Sequence, residues 1–181
     1  MPNIKNITKT INNQGIPFDF PRPGEGTDVF ALIEQMDKQL TPEQRLSVMQ
    51  EQGCCKTDFM TAPFRAFGQA HANKTLEEKI TLLPELNAVT NVPCHLNTDG
   101  TLTIYWGFEK DGKYRCLCRT INRMPEQKPI SLTFCGCCAG HMRHTYQYAL
   151  GVKLKLKGII SSPISSDRKN RCEFLFEIMD D

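Results

Sequence analysis

Between Cys135 and His144 the chain reads Cys-Gly-Cys-Cys-Ala-Gly-His-Met-Arg-His, which puts five cysteine or histidine side chains within ten residues. If a helix starts near Cys137, then His141 lies four residues on and His144 three further, so all three share one stripe with Cys138 beside it. Thiolate and imidazole converging in this way are the donors that tetrahedral zinc takes, at about 2.3 Å for sulfur and about 2.0–2.1 Å for nitrogen. A helix start also favours the thiolate before any metal arrives. Local donors seldom close such a site. Further ligands are expected from Cys54 or Cys55, an adjacent pair at another helix end, with Cys135 and His144 as reserves and one thiol of each doublet as the ligand.

The same residues permit two other readings. Cys137 or Cys138 with His141 supplies a nucleophile and a base, the minimum for thiol acyl transfer or C–N hydrolysis, although no third, orienting group is visible. Free cysteine is also a small buried hydrophobe, and packing alone accounts for many single cysteines. The density of donors favours metal binding over both. The ferredoxin C-x₂-C-x₂-C spacing is missing, which puts an iron–sulfur cluster behind zinc as the cofactor. Cys94, Cys116 and Cys118 are expected to pack, and His71 to complement a helix C-terminus.

Composition narrows the setting. Of 181 residues, 22 Lys and Arg oppose 20 Asp and Glu, and the net charge of +2 is too small to point to nucleic acid or an acidic membrane. Met1–Ile7 lacks the apolar run of an export signal, and no stretch of about 18 apolar residues spans a bilayer. Nine cysteines are an odd number and include two adjacent pairs, unlike an orderly disulfide framework. A cytoplasmic protein with reduced thiols is therefore expected, with no nucleic-acid or membrane partner.

The elements that must position these residues follow from periodicity. Residues 1–26 read as an irregular arm held by Ile11, Ile16, Phe18 and Phe20, and residues 27–181 as one domain, helical over 27–90 and sheet-rich over 91–181. Phe30, Ile33, Met36 and Leu40 recur at helical spacing, and Thr41-Pro42-Glu43-Gln44 supplies the cap, first-turn proline and capping-box partner of the next helix, which stops near Gly53. A helical piece over Phe59–Ala72 and a helix opened by Thr75-Leu76-Glu77-Glu78 and ended at Pro84 complete the first half. After Val92 the period becomes two: Leu102–Phe108 and Lys113–Ile121 form a hairpin about Asp111-Gly112, and Ile130–Phe134 a third strand. The cysteine-rich helix then closes at Gly151, and Val152–Ile160 and Arg171–Met179 form a last hairpin, with Lys153, Lys155 and Lys157 guarding an exposed edge. The pattern is α+β, with N-terminal helices followed by a mostly antiparallel sheet and one inserted helix. An exposed sheet edge also allows a homodimer.

The helix closing in Gly151, a strand, a Ser-rich bend and Cys172-Glu173-Phe174 with Phe176 resemble the C-terminal module of 4-vinyl reductase-type small-molecule-binding domains. The same ending resembles that of L-2-amino-thiazoline-4-carboxylate hydrolase-like proteins, over about residues 137–179. The resemblance implies a pocket between helices and sheet for a small ligand, and Cys172 as a further zinc ligand. The expected metal set is then Cys137, Cys138, His141, His144 and Cys172. The expected function is a metal-binding, zinc-loaded sensor or binding module with a small-molecule pocket. The alternatives are a hydrolase of a small cyclic amidine or amide, using zinc-bound water or a cysteine thiolate, and a structural zinc protein. The Ser161–Ser166 bend is read as a connection rather than a ligand site.

Overall fold

The computed structural model describes residues 2–21, 28–52, 56–86, 94–122 and 130–179, so Cys54, Cys55 and the expected helix stop at Gly53 lie outside the described residues. The first element is a departure from expectation. Asn3 caps a helix, α1 (Ile4–Asn13), where an irregular arm is expected, by accepting the Asn6 N–H at 2.9 Å. Ile7 and Ile11, four apart, are wholly buried on its inner side.

The following helices form where capping signals place them. α2 (Val29–Gln39) starts from Asp28, and α3 (Pro42–Gln50) from the reciprocal capping box of Thr41 and Gln44. α4 (Asp58–Ala70) contains Pro63, and α5 (Leu76–Leu82) opens with the Thr75/Glu78 box and runs into a short 3-10 turn at Pro84.

In the second half one sheet and one helix dominate. β1 (Cys94–Leu96), β2 (Leu102–Trp106), β5 (Lys153–Ser161) and β6 (Cys172–Met179) form a sheet in the order β1-β2-β6-β5, every pair antiparallel. β3 (Phe108–Lys110) and β4 (Lys113–Arg115) form a separate ribbon about Asp111-Gly112. The expected hairpin is thus broken at Gly107, whose φ of 117° turns the chain away, and β2 pairs with β6 instead. The chain leaves β4 at Arg115, so Cys116 and Cys118 lie in a connection before a short helix, α6 (Arg119–Asn122), and not on a strand. The final hairpin has the expected arms, with Cys172, Phe174 and Phe176 buried on one face, and β5 is the lysine-bearing edge.

The largest correction concerns the cysteine-rich helix. α7 (Leu132–Leu150) starts from Ser131, which accepts the Thr133 N–H, so the expected strand over Ile130–Phe134 is the first turn of this helix and Cys137 lies in its second turn. Gly151 ends it in the left-handed region at φ 71°. Thirteen of its nineteen residues are buried, because it lies between two cores. One joins it to the sheet through Ile104, Met142, Tyr146, Phe174 and Phe176. The other joins its first turns to α1, α2 and α3 through Ile7, Ile33, Met36, Met49 and Phe134.

Close approach on the helical side requires glycine. A Cβ on Gly136 would stand 2.6 Å from the Met49 side chain, one on Gly140 would meet the backbone carbonyl of Gln50, and one on Gly68 of α4 that of Tyr148. Alanine at Gly140 or Gly68 raises helix propensity by about 1 kcal/mol but drives a methyl into backbone that cannot swing aside. The overpacking outweighs the gain: Gly140→Ala and Gly68→Ala are each expected to destabilise the protein by about 2 kcal/mol in urea denaturation.

Candidate functional site

α7 distributes its cysteines to different surroundings. Cys135 and Cys138, three apart, share a face, whereas Cys137 lies round the helix from Cys135 among the helical-layer residues, its thiol donating to the Gln52 carbonyl at 3.8 Å. Cys138 meets Cys118 of the connection before α6, and the two sulfurs are hydrogen-bonded. Cys116, Cys135 and Cys172 stand close enough to Cys118 or to one another to influence their ionisation. Five thiols from α7, β6 and one loop therefore lie in one region, although no three of them come within reach of a common ion, and all seven described cysteines are free.

Within it Cys118 differs from its neighbours. The Cys138 thiol donates to its sulfur, and so do the N–H groups of Ile121 and Thr120 and the Thr120 hydroxyl; together they outweigh burial and hold the Cys118 thiol down at about 6, against an ordinary 9.0. Its position explains the donors: Cys118 precedes α6 and caps it with sulfur, since the second and third N–H groups of a helix have no partner within it. Cys138, as the donor to a thiolate, is pushed well up, first by that bond and then by burial. Burial raises the others: Cys94 and Cys135 to about 12, Cys116 to about 11, and Cys172 further still. Spacing predicts the helix-start thiolate at Cys137 and packing at Cys118; α6 starts right after Cys118, so the same principle falls on a different helix.

The zinc expectation is overturned by this geometry. Among the described residues no three His, Cys, Asp or Glu side chains stand close enough together to hold an ion. At 1.5 Å of rise per residue, Cys137 and His144 are about 10 Å apart along the helix axis, beyond the reach of one ion. The ring of His141 packs edge-on against Trp106 at 5.8 Å, and His144 edge-on against Tyr148 at 5.3 Å. Partial burial lowers the His144 pKa, as do Lys56, Arg143 and Arg65, and those same charges repel a cation. Cys172 stands near Cys135, Cys116 and Cys118, and Cys138 meets Cys118. The iron–sulfur alternative likewise finds no set of three ligands among the described residues.

A cavity of about 270 Å³ opens where the start of α7 meets α3 and β5, lined by Pro42, Arg45, Leu46, Thr133, Lys157 and Ile159. It is slightly smaller than the usual range for ligand pockets, about 300–1,000 Å³. Its guanidinium is already engaged: Arg45 bonds Asp37 at 2.6 Å, and Asp37 also accepts from Thr133. In the Ser161–Ser166 bend Ser165 and Ser166 both donate to the Ser162 carbonyl, and Ser161 donates to the Arg171 carbonyl at 2.8 Å.

No family model matches the chain, and no curated protein matches it. Among solved structures it is similar to an H-NOX protein from S. oneidensis in the Fe(II)NO ligation state, at a TM-score of 0.34 and 10% identity over 98% of this chain and 90% of that one. A triple variant of an H-NOX protein from the same source in the Fe(II) state gives 0.32 and 11%, over 98% and 88%. The metal named for those neighbours is iron and not zinc. Similarity at this level assigns this chain neither a family nor a ligand. What the chain itself defines is an α+β protein with a thiol cluster built on its central helix. No helix among the described residues is long and apolar enough to cross a membrane.

The thiols set the pH dependence of stability. A depressed Cys118 favours the folded state increasingly as pH rises from about 6 to about 9, because over that window only the unfolded chain keeps the proton. Above about 9 the unfolded chain loses protons that folded Cys94, Cys116 and Cys135 retain up to about 11–12, so stability falls. Thermal denaturation from pH 5 to 11 is expected to give a maximum near pH 9, and Cys118→Ser to flatten its rising limb.

Proposed function

We propose that the protein is a cytoplasmic small-molecule sensor or binding module whose reactive group is the thiolate of Cys118. The single observation that carries this reading is the convergence of four donors, one of them the Cys138 thiol, on one partly exposed sulfur. Such a cradle makes a nucleophile available at neutral pH without a separate base, since the thiolate and not the thiol is the attacking species. The other described thiols are raised or packed, which confines reaction to one position. A cytoplasmic setting suits reduced cysteines. The resemblance of residues 137–179 to small-molecule-binding domains supports a small ligand over a macromolecular one. Hydrolysis by the same thiolate is the weaker alternative, because the helix histidines pack against Trp106 and Tyr148.

Peptide-resolved alkylation by iodoacetamide tests the proposal. Cys118 is expected to react fastest among the described cysteines, with a rate that rises through about pH 6 and levels off above neutrality. Cys138→Ala removes one donor to a charged group and is expected to move that midpoint up by about one unit, equivalent to ~1.4 kcal/mol. A Cys118 midpoint near 9 in the unaltered protein would sink the reading.

A further inference from the structure

We propose that the stretch of β5 from Leu156 onward is a docking edge for an extended acidic segment of another protein, which joins the sheet as a short added strand and seats one apolar side chain in the cavity beside it. The inference is independent of Cys118 and adds a macromolecular partner to the small ligand.

The edge is closed at one end and open at the other. In the order β1-β2-β6-β5, β5 pairs with β6 alone, and Leu154 and Leu156 on its inner face join the core that α7 covers. The Leu154 N–H donates to the Gln147 side chain of α7 at 2.9 Å, so it is directed away from β6, and α7 closes the start of the edge. In an antiparallel pair the N–H and C=O of every second residue share that outward direction. The register runs unbroken from Leu154↔Ile178 to Leu156↔Phe176, so Leu156 directs both groups outward as well. Among the described residues no other strand or side chain takes them. Just beyond, on the helical side of the same edge, lies the cavity of about 270 Å³, walled by Ile159 of β5, Leu46 of α3 and Leu132 at the start of α7.

Side-chain alternation sets what can pair there. Lys153, Lys155 and Lys157 are exposed on the outer face, whereas Leu154 and Leu156 turn inward and Ile159 packs against the same core. A strand laid along this edge places alternate side chains opposite those lysines and the intervening ones over the cavity. Opposite charges directly across a strand pair stabilise it, and like charges destabilise it. β5 carries no acidic residue. Glu177 meets Lys155 at 3.6 Å from the β6 side, and Asp99 of the β1–β2 turn lies within electrostatic range of Lys157. An acid on the open side therefore completes an alternation of charge across the sheet. In the cavity wall Arg45 is already bonded to Asp37, which leaves Leu46, Leu132 and Ile159 to receive an apolar side chain.

A second copy of this chain is a poor occupant, because two β5 edges would set lysine against lysine. The ladder shifts at Leu156/Gly158 and Ile159/Ser161 bend the strand and leave only a short stretch for pairing. The lysines that repel a copy of β5 thus select an acidic strand, and main-chain bonds at Leu156 hold it.

Titration of the isotope-labelled full chain with an acetylated peptide of four Glu-Val repeats, followed by NMR, tests the inference. The amide signals of Leu156 and Ile159 are expected to shift, and nuclear Overhauser contacts to join the peptide valines to Leu46 and Ile159. Exchange of the Leu156 amide is expected to slow at least about tenfold as it becomes bonded. A peptide of Lys-Val repeats is expected not to bind. Lys155→Glu and Lys157→Glu, at exposed positions, are each expected to weaken the Glu-Val peptide about fivefold. No response at Leu156 at millimolar Glu-Val peptide, contacts that map elsewhere, or equal binding of the Lys-Val peptide would overturn the inference. Protection of Leu156 that grows with protein concentration in the absence of peptide would also overturn it, by assigning the edge to a second copy.

Discussion

The rest of the structure depends on how closely two helices, α3 and α4, can approach α7. Gly136 and Gly140 let α3 lie against it, and Gly68 lets α4 do the same, at separations where even a methyl group would meet side chain or backbone. An interior is packed to crystal-like density, so such a seam has one arrangement and resists small displacements. With its helical side settled in this way, α7 turns a defined opposite side toward the sheet and the loop before α6. The positions of Cys135 and Cys138 follow from that rotation, as does the separation of Cys137 from them.

The thiol cluster gains its chemistry from contrast. A buried thiol in apolar surroundings holds its proton, and Cys94, Cys135 and Cys172 do so. Cys118 escapes because it caps a helix of four residues and receives a further bond from Cys138. Hydrogen bonds to a charged group are about twice as strong as neutral ones, which lets four donors outweigh partial burial. The proton that Cys118 gives up is kept in effect by Cys138, so the pair titrates as one unit with one thiolate and one thiol.

Much of this was legible beforehand. Phe30, Ile33, Met36 and Leu40 located α2, the Thr41 and Thr75 capping boxes located α3 and α5, and Gly151 marked the end of α7. Local signals sufficed because caps and left-handed glycines act within one turn. The strand expected over Ile130–Phe134 went wrong because a short apolar run reads the same in a strand and in a helix buried on all sides. α1 was missed although Ile4, Ile7 and Ile11 carry its period and Asn3 its cap. The helical part of the expected zinc site rests on spacing, which gives direction round the axis but takes no account of distance along it.

By itself the sequence determined the α+β class, the order of most helices, the final hairpin and the concentration of thiols near residue 137. Those features rest on period, capping and composition, all local or additive properties. Only the tertiary structure decided that β2 pairs with β6, that Cys118 precedes a helix start and that Cys138 faces it across twenty residues of chain. Contacts between distant segments depend on how whole elements pack, and a change in the rotation of α7 about its axis would exchange one cysteine for another without altering any local signal.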